Sequence, residues 1–499
     1  MSLYSDSFEK IKEYGEVVEV MHPIIVVVGL PNIKSDEVVI FENGEQGKVQ
    51  SISKDSISIL LFSQNQVVVG QKVTRLDLMM QLRVKNGGVL GKIVDGLGKV
   101  VGNMDQNSEN KDEEFSSRQI DIHPPSMDQR VPTQGQFLTG VSIIDTLIPI
   151  GVGQRELVVG DRKTGKTSFL LTIMKNHVEN GGVVVYVNIG SNISDTKKIE
   201  GFIKQHKLQN KVTLVSTSSS SAHGFILVAP FTGMTIAEHY KSAGENVVII
   251  LDDLSTHAMY YREVSILSRR FPGRDSYPGD IFYLHARLLE RAGSFSYKGS
   301  EKGSITCFPV ALTMQNDLSD YIVSNLISIT DGHILFDPNE FVKGRRPAIN
   351  IALSVTRLGR QTQNTLLQDI NRQLSSFLTS KYEKSVQLSH FGSELTDDVK
   401  RNLEIGNDLY GYFNQNIDTI VPIGPSIVFL SMVWLDIFRG EDITKIMVFR
   451  DIFVKAYLKD DKVRQFVDKN TKVKDFKSLL VSIMGEKEFL VASCKIKRV

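Results

Sequence analysis

The sequence predicts an α/β core built on a phosphate-binding loop, with an all-β region before it and a helical region after it. Three observations carry this. Residues 1–85 hold short Val- and Ile-rich runs separated at close intervals by Gly, Asn and Pro. Over residues 86–362, short apolar strands alternate with longer helical stretches. Over residues 363–499, Leu, Gln, Lys and Asp dominate and β-branched runs become scarce. A chain of 499 residues has room for such a division at about 100–200 residues per domain.

The first region reads VVEVMHPIIVVVGL, DEVVIFENGEQGKVQSI, DSISILLFS and QVVVGQKV, the pattern of a small barrel or sandwich. In the second, ELVVG (156–160), VVVYVNI (183–189) and VVIIL (247–251) read as buried strands. SENKDEEF (108–115) reads as a solvated charged loop, and STSSSS (216–221) is the one low-complexity patch. In the third, IVPIGPSIVFLSMVWLDIF (420–438) is the most apolar long stretch. Pro422, Gly424 and Pro425 break its start and Asp436 interrupts its end. What remains is too short to span about 30 Å of hydrocarbon, so a buried helix is expected.

Composition removes several function classes. A net charge of +1 gives no electrostatic case for nucleic acid or an acidic membrane surface. Two cysteines, Cys307 and Cys494, build neither a disulfide framework nor a four-cysteine zinc site, and suit a reducing intracellular compartment. MSLYSDSFEKIKEYG lacks the apolar core of a signal peptide.

Residues 160–167, GDRKTGKT, fit GxxxxGK[ST]. Phosphate is held by backbone N–H groups at a helix N-terminus, and glycine lets the chain curl close to it. The context agrees: LVV leads in and TSFLLTIMKN reads as the helix that follows. The expected nucleotide site is Gly160, Asp161, Arg162, Lys163, Thr164, Gly165, Lys166, Thr167 and Ser168. Lys166 supplies a point charge to the β/γ-phosphates of ATP or ADP, and the Thr167 hydroxyl is placed for Mg²⁺. A second metal-side carboxylate is expected at the end of a neighbouring strand, and VVIILDD provides Asp252, ahead of Asp253.

Longer blocks carry a specific resemblance. TGVSIIDTLIPIGVGQRELVVGDRKTGKTS (139–168), PGRDSYPGDIFYLHARLLERAG (272–293), SNLISITDGHILF (324–336), GRRPAINIALSVTRLG (344–359) and HFGSEL (390–395) resemble the α, noncatalytic subunits of rotary F-type ATP synthases. The resemblance implies an N-terminal β-barrel over 1–85, a RecA-like nucleotide domain over 86–362 and a C-terminal helical bundle over 363–499. It also implies an alternating ring of three such chains with three catalytic β-type subunits around a central γ-type shaft.

Hydrolysis needs a group that orients water. In β subunits of the family this is a glutamate after the strand that follows the loop helix; in α subunits the place is usually glutamine. Here YVNIGSN puts Ser191 there. Another acid, such as Asp195, could in principle reach in. Nucleotide binding without efficient turnover is therefore expected. SVTRLG resembles the family's SVSRVG, which implies that Arg357 reaches the pocket of the neighbouring β-type subunit, a task suited to a planar, permanent cation. The resemblance also places Arg162, Arg346-Pro347 and Gln415 at the nucleotide, Gln415 within a poor local match.

Several features depart from the family pattern. Lys163 stands where glutamine is usual, and LTM (312–314) where ETQ is usual. About a dozen residues precede EVVEV, fewer than the segment that docks the stator in typical α subunits. A second reading therefore ties an α-like chain to other machinery, such as that of mollicute gliding. A homohexameric secretion or helicase ATPase is the rival; it needs both a catalytic glutamate and an arginine finger in one chain. No direct membrane span is expected, only a cytoplasmic place beside the membrane through the complex.

Overall fold

The computed structural model describes residues 3–85, 88–104, 115–133, 135–295, 303–390 and 396–494. The SENKDEEF loop apart from Phe115, and the HFGSEL block beyond His390, lie outside the described residues. The chain divides into two compact units, one of residues 1–131, 181–311 and 319–329, the other of residues 132–180, 312–318 and 330–499.

The first unit opens with helix Leu3–Ile11 and then a closed six-stranded barrel. Strand Gly15–Met21 pairs on one side with Ile24–Gly29 and on the other with Lys72–Met79, and this closure decides for a barrel over a sandwich. Alternating side chains point inward, so Val17, Val27, Val39, Phe41, Val49, Ile59 and Val73 fill the interior. The same unit carries parallel strands in the order Ser304–Leu312, Asn246–Asp252, Val183–Ser191, Val212–Ser218 and Lys92–Val94, with Val100–Asn103 antiparallel at the edge. Val183–Ser191 is buried along nearly its whole length, as expected of a central parallel strand covered on both faces.

In the second unit, strand Glu156–Gly160 pairs in parallel with Gly332–Phe336, and Val355–Thr356 runs antiparallel along the latter. Helix Lys166–Glu179 follows the loop. From Thr365 to Ser493 the described residues are helical apart from short links, and Thr365–Ser376 passes through a π-turn at Phe377–Tyr382 into Glu383–His390. The apolar stretch expected to be a buried helix is one: Ile423–Trp434 has nine of its twelve residues buried. Pro422 caps it and Pro425 falls in the first turn, where a missing N–H costs nothing. Among the described residues no helix is long and apolar enough to cross a membrane. Cys307 and Cys494 are both buried free thiols.

Candidate nucleotide-binding site

The loop forms because strand Glu156–Gly160 is buried throughout and must stop abruptly before the helix. A Cβ on Gly160 would lie 2.3 Å from the Phe336 carbonyl oxygen, and Gly165 sits at φ +102°, so only glycine fits either end. Gly165 caps helix Lys166–Glu179, whose first N–H groups supply the anion-binding end. Lys166 Nζ donates to the carbonyls of Gly160 at 2.8 Å and Asp161 at 2.6 Å, which keeps the ammonium at the loop. Thr164 Oγ1 donates to the Asp161 carbonyl at 2.8 Å and tightens the turn.

Asp161 braces the loop from the side. Its Oδ1 accepts from Thr313 Oγ1 at 2.6 Å and from the Asn316 backbone N–H at 3.0 Å. Thr313 is the middle residue of LTM, so this brace survives the changes on either side of it. Arg162, Lys163, Thr167 and Ser168 are exposed, with Lys163 at φ +66°.

The segment after Phe413 runs along the loop helix. Thr172 Oγ1 donates to the Ile417 carbonyl at 2.9 Å and Lys175 Nζ to the Asp418 carbonyl at 2.8 Å. Gln415 is buried, and its amide is taken up by the backbone. Oε1 accepts from Ser142 N at 3.1 Å, while Nε2 donates to the carbonyls of Gly140 at 2.6 Å and Thr419 at 2.5 Å. Arg346 meets this segment through its main chain: its carbonyl accepts from Gln415 N at 2.7 Å and its N–H donates to Asn414 Oδ1 at 2.8 Å. Its exposed guanidinium stacks on Phe341, 3.4 Å from the ring centroid. The Arg346–Pro347 peptide bond is cis. Residues 346 and 415 are thus adjacent.

In the other unit, Asp252 ends its strand half-buried, and its Oδ2 accepts from the Tyr186 hydroxyl at 2.6 Å. Burial, then the charge of Asp252, hold the Tyr186 phenol well above its ordinary pKa, so it stays a donor. Asp253 is occupied as a helix cap, accepting from Thr256 N at 2.6 Å and Thr256 Oγ1 at 3.0 Å. The Thr167 hydroxyl in one unit and the Asp252 carboxylate in the other are each, taken singly, a hard oxygen of the kind that Mg²⁺ prefers. Among the described residues no cluster of three His, Cys, Asp or Glu side chains could hold a metal by itself.

Arg357 follows the edge strand Val355–Thr356 and is exposed. Its N–H donates to the Asp331 carbonyl at 3.1 Å and Nη1 to the Thr330 carbonyl at 3.3 Å. Sequence reasoning passed over Thr313, noting LTM only as a departure; the signal was its threonine, shared with the usual ETQ.

The family model for the nucleotide-binding domain of the ATP synthase alpha/beta family matches residues 140–356, which contain the whole loop and end at the residue before Arg357. ATP synthase subunit alpha of Carsonella ruddii (strain PV) is 34% identical over 92% of this chain and 95% of its own length. The chain belongs to the ATP synthase α-subunit family. Two further α-family relatives are as near. ATP synthase subunit alpha 1 of Mycoplasmopsis pulmonis (strain UAB CTIP) is 33% identical over 96% of the chain and 89% of its own length. The α subunit of Neorickettsia sennetsu (strain ATCC VR-367 / Miyayama) is 34% identical over 87% and 86%. Family membership makes residues 140–356 a nucleotide-binding domain, and the loop lies within it. It also agrees with the barrel, central nucleotide domain and helical C-terminal region seen in the fold.

Proposed function

We propose that this chain is the noncatalytic subunit of an F-type rotary ATPase. It binds Mg-ATP or Mg-ADP without efficient turnover and lends Arg357 to the catalytic pocket of a neighbouring β-type subunit. The carrying observation is the end of strand Val183–Ser191. A hydrolase needs a carboxylate there to orient water; here stands Ser191, whose hydroxyl donates to the Asn192 carbonyl at 3.4 Å. Asp195, the nearby acid in sequence, is paired with Lys198 at 2.9 Å.

On this reading the loop amides and Lys166 hold the phosphates, while Arg162, Lys163, Arg346-Pro347 and Gln415 border the nucleotide. Thr167 and Asp252 supply oxygens to Mg²⁺, which neutralises phosphate charge when bound. Three copies alternate with three β-type subunits around a γ-type shaft, with stator or other machinery subunits attached. The chain works in the cytoplasm, beside a membrane that the complex reaches.

Two measurements test this. The purified chain alone is expected to bind ATP and show no sustained ATPase; steady turnover overturns the noncatalytic assignment. In the assembled ring, Arg357→Ala is expected to leave assembly intact and cut turnover toward the roughly 10³–10⁵-fold worth of such arginines. Unchanged turnover refutes the role.

A further inference from the structure

A carboxylate beside a triphosphate repels it, yet this loop carries Asp161 at its second position. The hydrogen bonds give that carboxylate another partner. Its Oδ1 takes two donors from the turn after strand Ser304–Leu312: Thr313 Oγ1 at 2.6 Å and the Asn316 N–H at 3.0 Å. A third bond runs alongside, from Thr313 N to the Gly160 carbonyl at 3.2 Å. The first two residues of the loop are therefore fastened to one turn, and all of these residues lie in the second unit.

The turn is itself a costly one. Gln315 and Asn316 sit at φ +55° and +62°, where residues other than glycine rarely go. Asn316 Oδ1 is buried with no hydrogen-bond partner among the described residues, which adds to the cost. Strained backbone persists where its surroundings impose it, and it gathers at functional sites. Here the two bonds to Asp161 impose it. What the turn places in return is the ammonium of the loop lysine. The Gly160 carbonyl, which accepts from Thr313 N, also accepts from Lys166 Nζ at 2.8 Å, and the Asp161 carbonyl accepts from the same Nζ at 2.6 Å. The two carbonyls that locate Nζ belong to the two residues that the turn fastens. A lysine is a point charge on a flexible stem, so its place depends on such anchors.

We propose that Asp161 and Thr313 are positioning residues for phosphate binding: through the 313–316 turn they fix the Gly160–Asp161 backbone and, with it, the Lys166 ammonium. This rests on the reading that the loop and Lys166 hold the phosphates of ATP or ADP.

Both arms of the test use the full-length chain. The first needs no nucleotide. Lysines are reductively methylated and the labelling rate of Lys166, which is buried, is followed by mass spectrometry against that of Lys163, which is exposed. Thr313→Val keeps the side chain's shape and removes its hydroxyl. It is expected to speed labelling of Lys166 several-fold and leave Lys163 unchanged. Thr313→Ser, which restores the donor, is expected to return the native rate. Asp161→Asn, which weakens both bonds at native volume, is the second variant and is expected to move Lys166 the same way. The second arm titrates a fluorescent ATP analogue with Mg²⁺. Thr313→Val is expected to weaken it roughly tenfold, the scale of one hydrogen bond to a charged group, and Thr313→Ser to recover it. The positioning role needs both changes. If either is missing while the native chain binds the analogue, the role is overturned and the loop remains the phosphate site. A native chain that binds no analogue overturns the reading of the loop, and the labelling rates alone then decide whether the turn places Lys166.

Discussion

His257 and His285 are buried together in the first unit, with His257 Nδ1 and His285 Nε2 3.1 Å apart. His257 Nε2 lies 3.1 Å from the Leu227 carbonyl, so Nε2 carries the proton, and Nδ1 accepts from His285. Burial lowers His257 to about 4 and His285 well below its ordinary value. Both histidines are neutral in the fold and titrate near 6.5 in the unfolded chain. Their contribution is therefore full above pH 6.5 and is lost as pH falls toward 4, on the order of 3 kcal/mol for His257. His257→Gln is expected to flatten the fall of the urea midpoint between pH 6.5 and 4; an unchanged slope would exclude the pair as its source. Single residues such as these were not legible in the sequence. GxxxxGKT announced the loop because its spacing is imposed by the phosphate itself. Thr313, Asn316 and the histidine pair acquire their roles only from tertiary contact and burial, which no local pattern encodes.

Elements were more legible than residues, because apolar runs and their breakers are local. VVVYVNI and VVIIL had to be strands: each is short, rich in β-branched residues and bounded by Gly, Asn or Asp. Helix His223–Ser242 was harder to see, since it holds Pro230 in its interior and is buried on nearly every side. The π-turn at Phe377–Tyr382 left no mark at all. Gln415 shows how an element outranks the residue within it. Through that side chain the 414–421 segment is tied to residues 140–142, and Thr172 ties the loop helix to the same segment. Gln415→Ala strands the Ser142 N–H and two carbonyls, at about 1–3 kcal/mol for a buried group left unpaired. The expected result is a chain less stable by roughly 2–4 kcal/mol without any nucleotide present. If stability without nucleotide is unchanged and only ATP affinity falls, Gln415 serves the base rather than the fold.

At the scale of the whole molecule, nucleotide and stability are linked by mass action. A ligand that binds the folded chain alone adds about 2.7 kcal/mol at a hundredfold excess over Kd. The loop is suited to drive this, because strand Glu156–Gly160 and helix Lys166–Glu179 meet at it and segment 414–421 is fastened to that helix. Unfolding must break all three, so the binding free energy is felt well beyond the residues that touch phosphate. For a unit of this size each kcal/mol moves the midpoint by roughly 2–4 °C, so saturating Mg-ATP is expected to raise the melting temperature by about 5–10 °C. Lys166→Ala removes the charge at the loop and is expected to abolish most of that rise, measured against the variant's own nucleotide-free midpoint. Asp252→Asn is expected to keep the rise produced by ATP in EDTA and to lose the increment that Mg²⁺ adds. A full rise in Lys166→Ala would mean that the phosphates are held elsewhere, and the same increment in Asp252→Asn would remove that carboxylate from the metal.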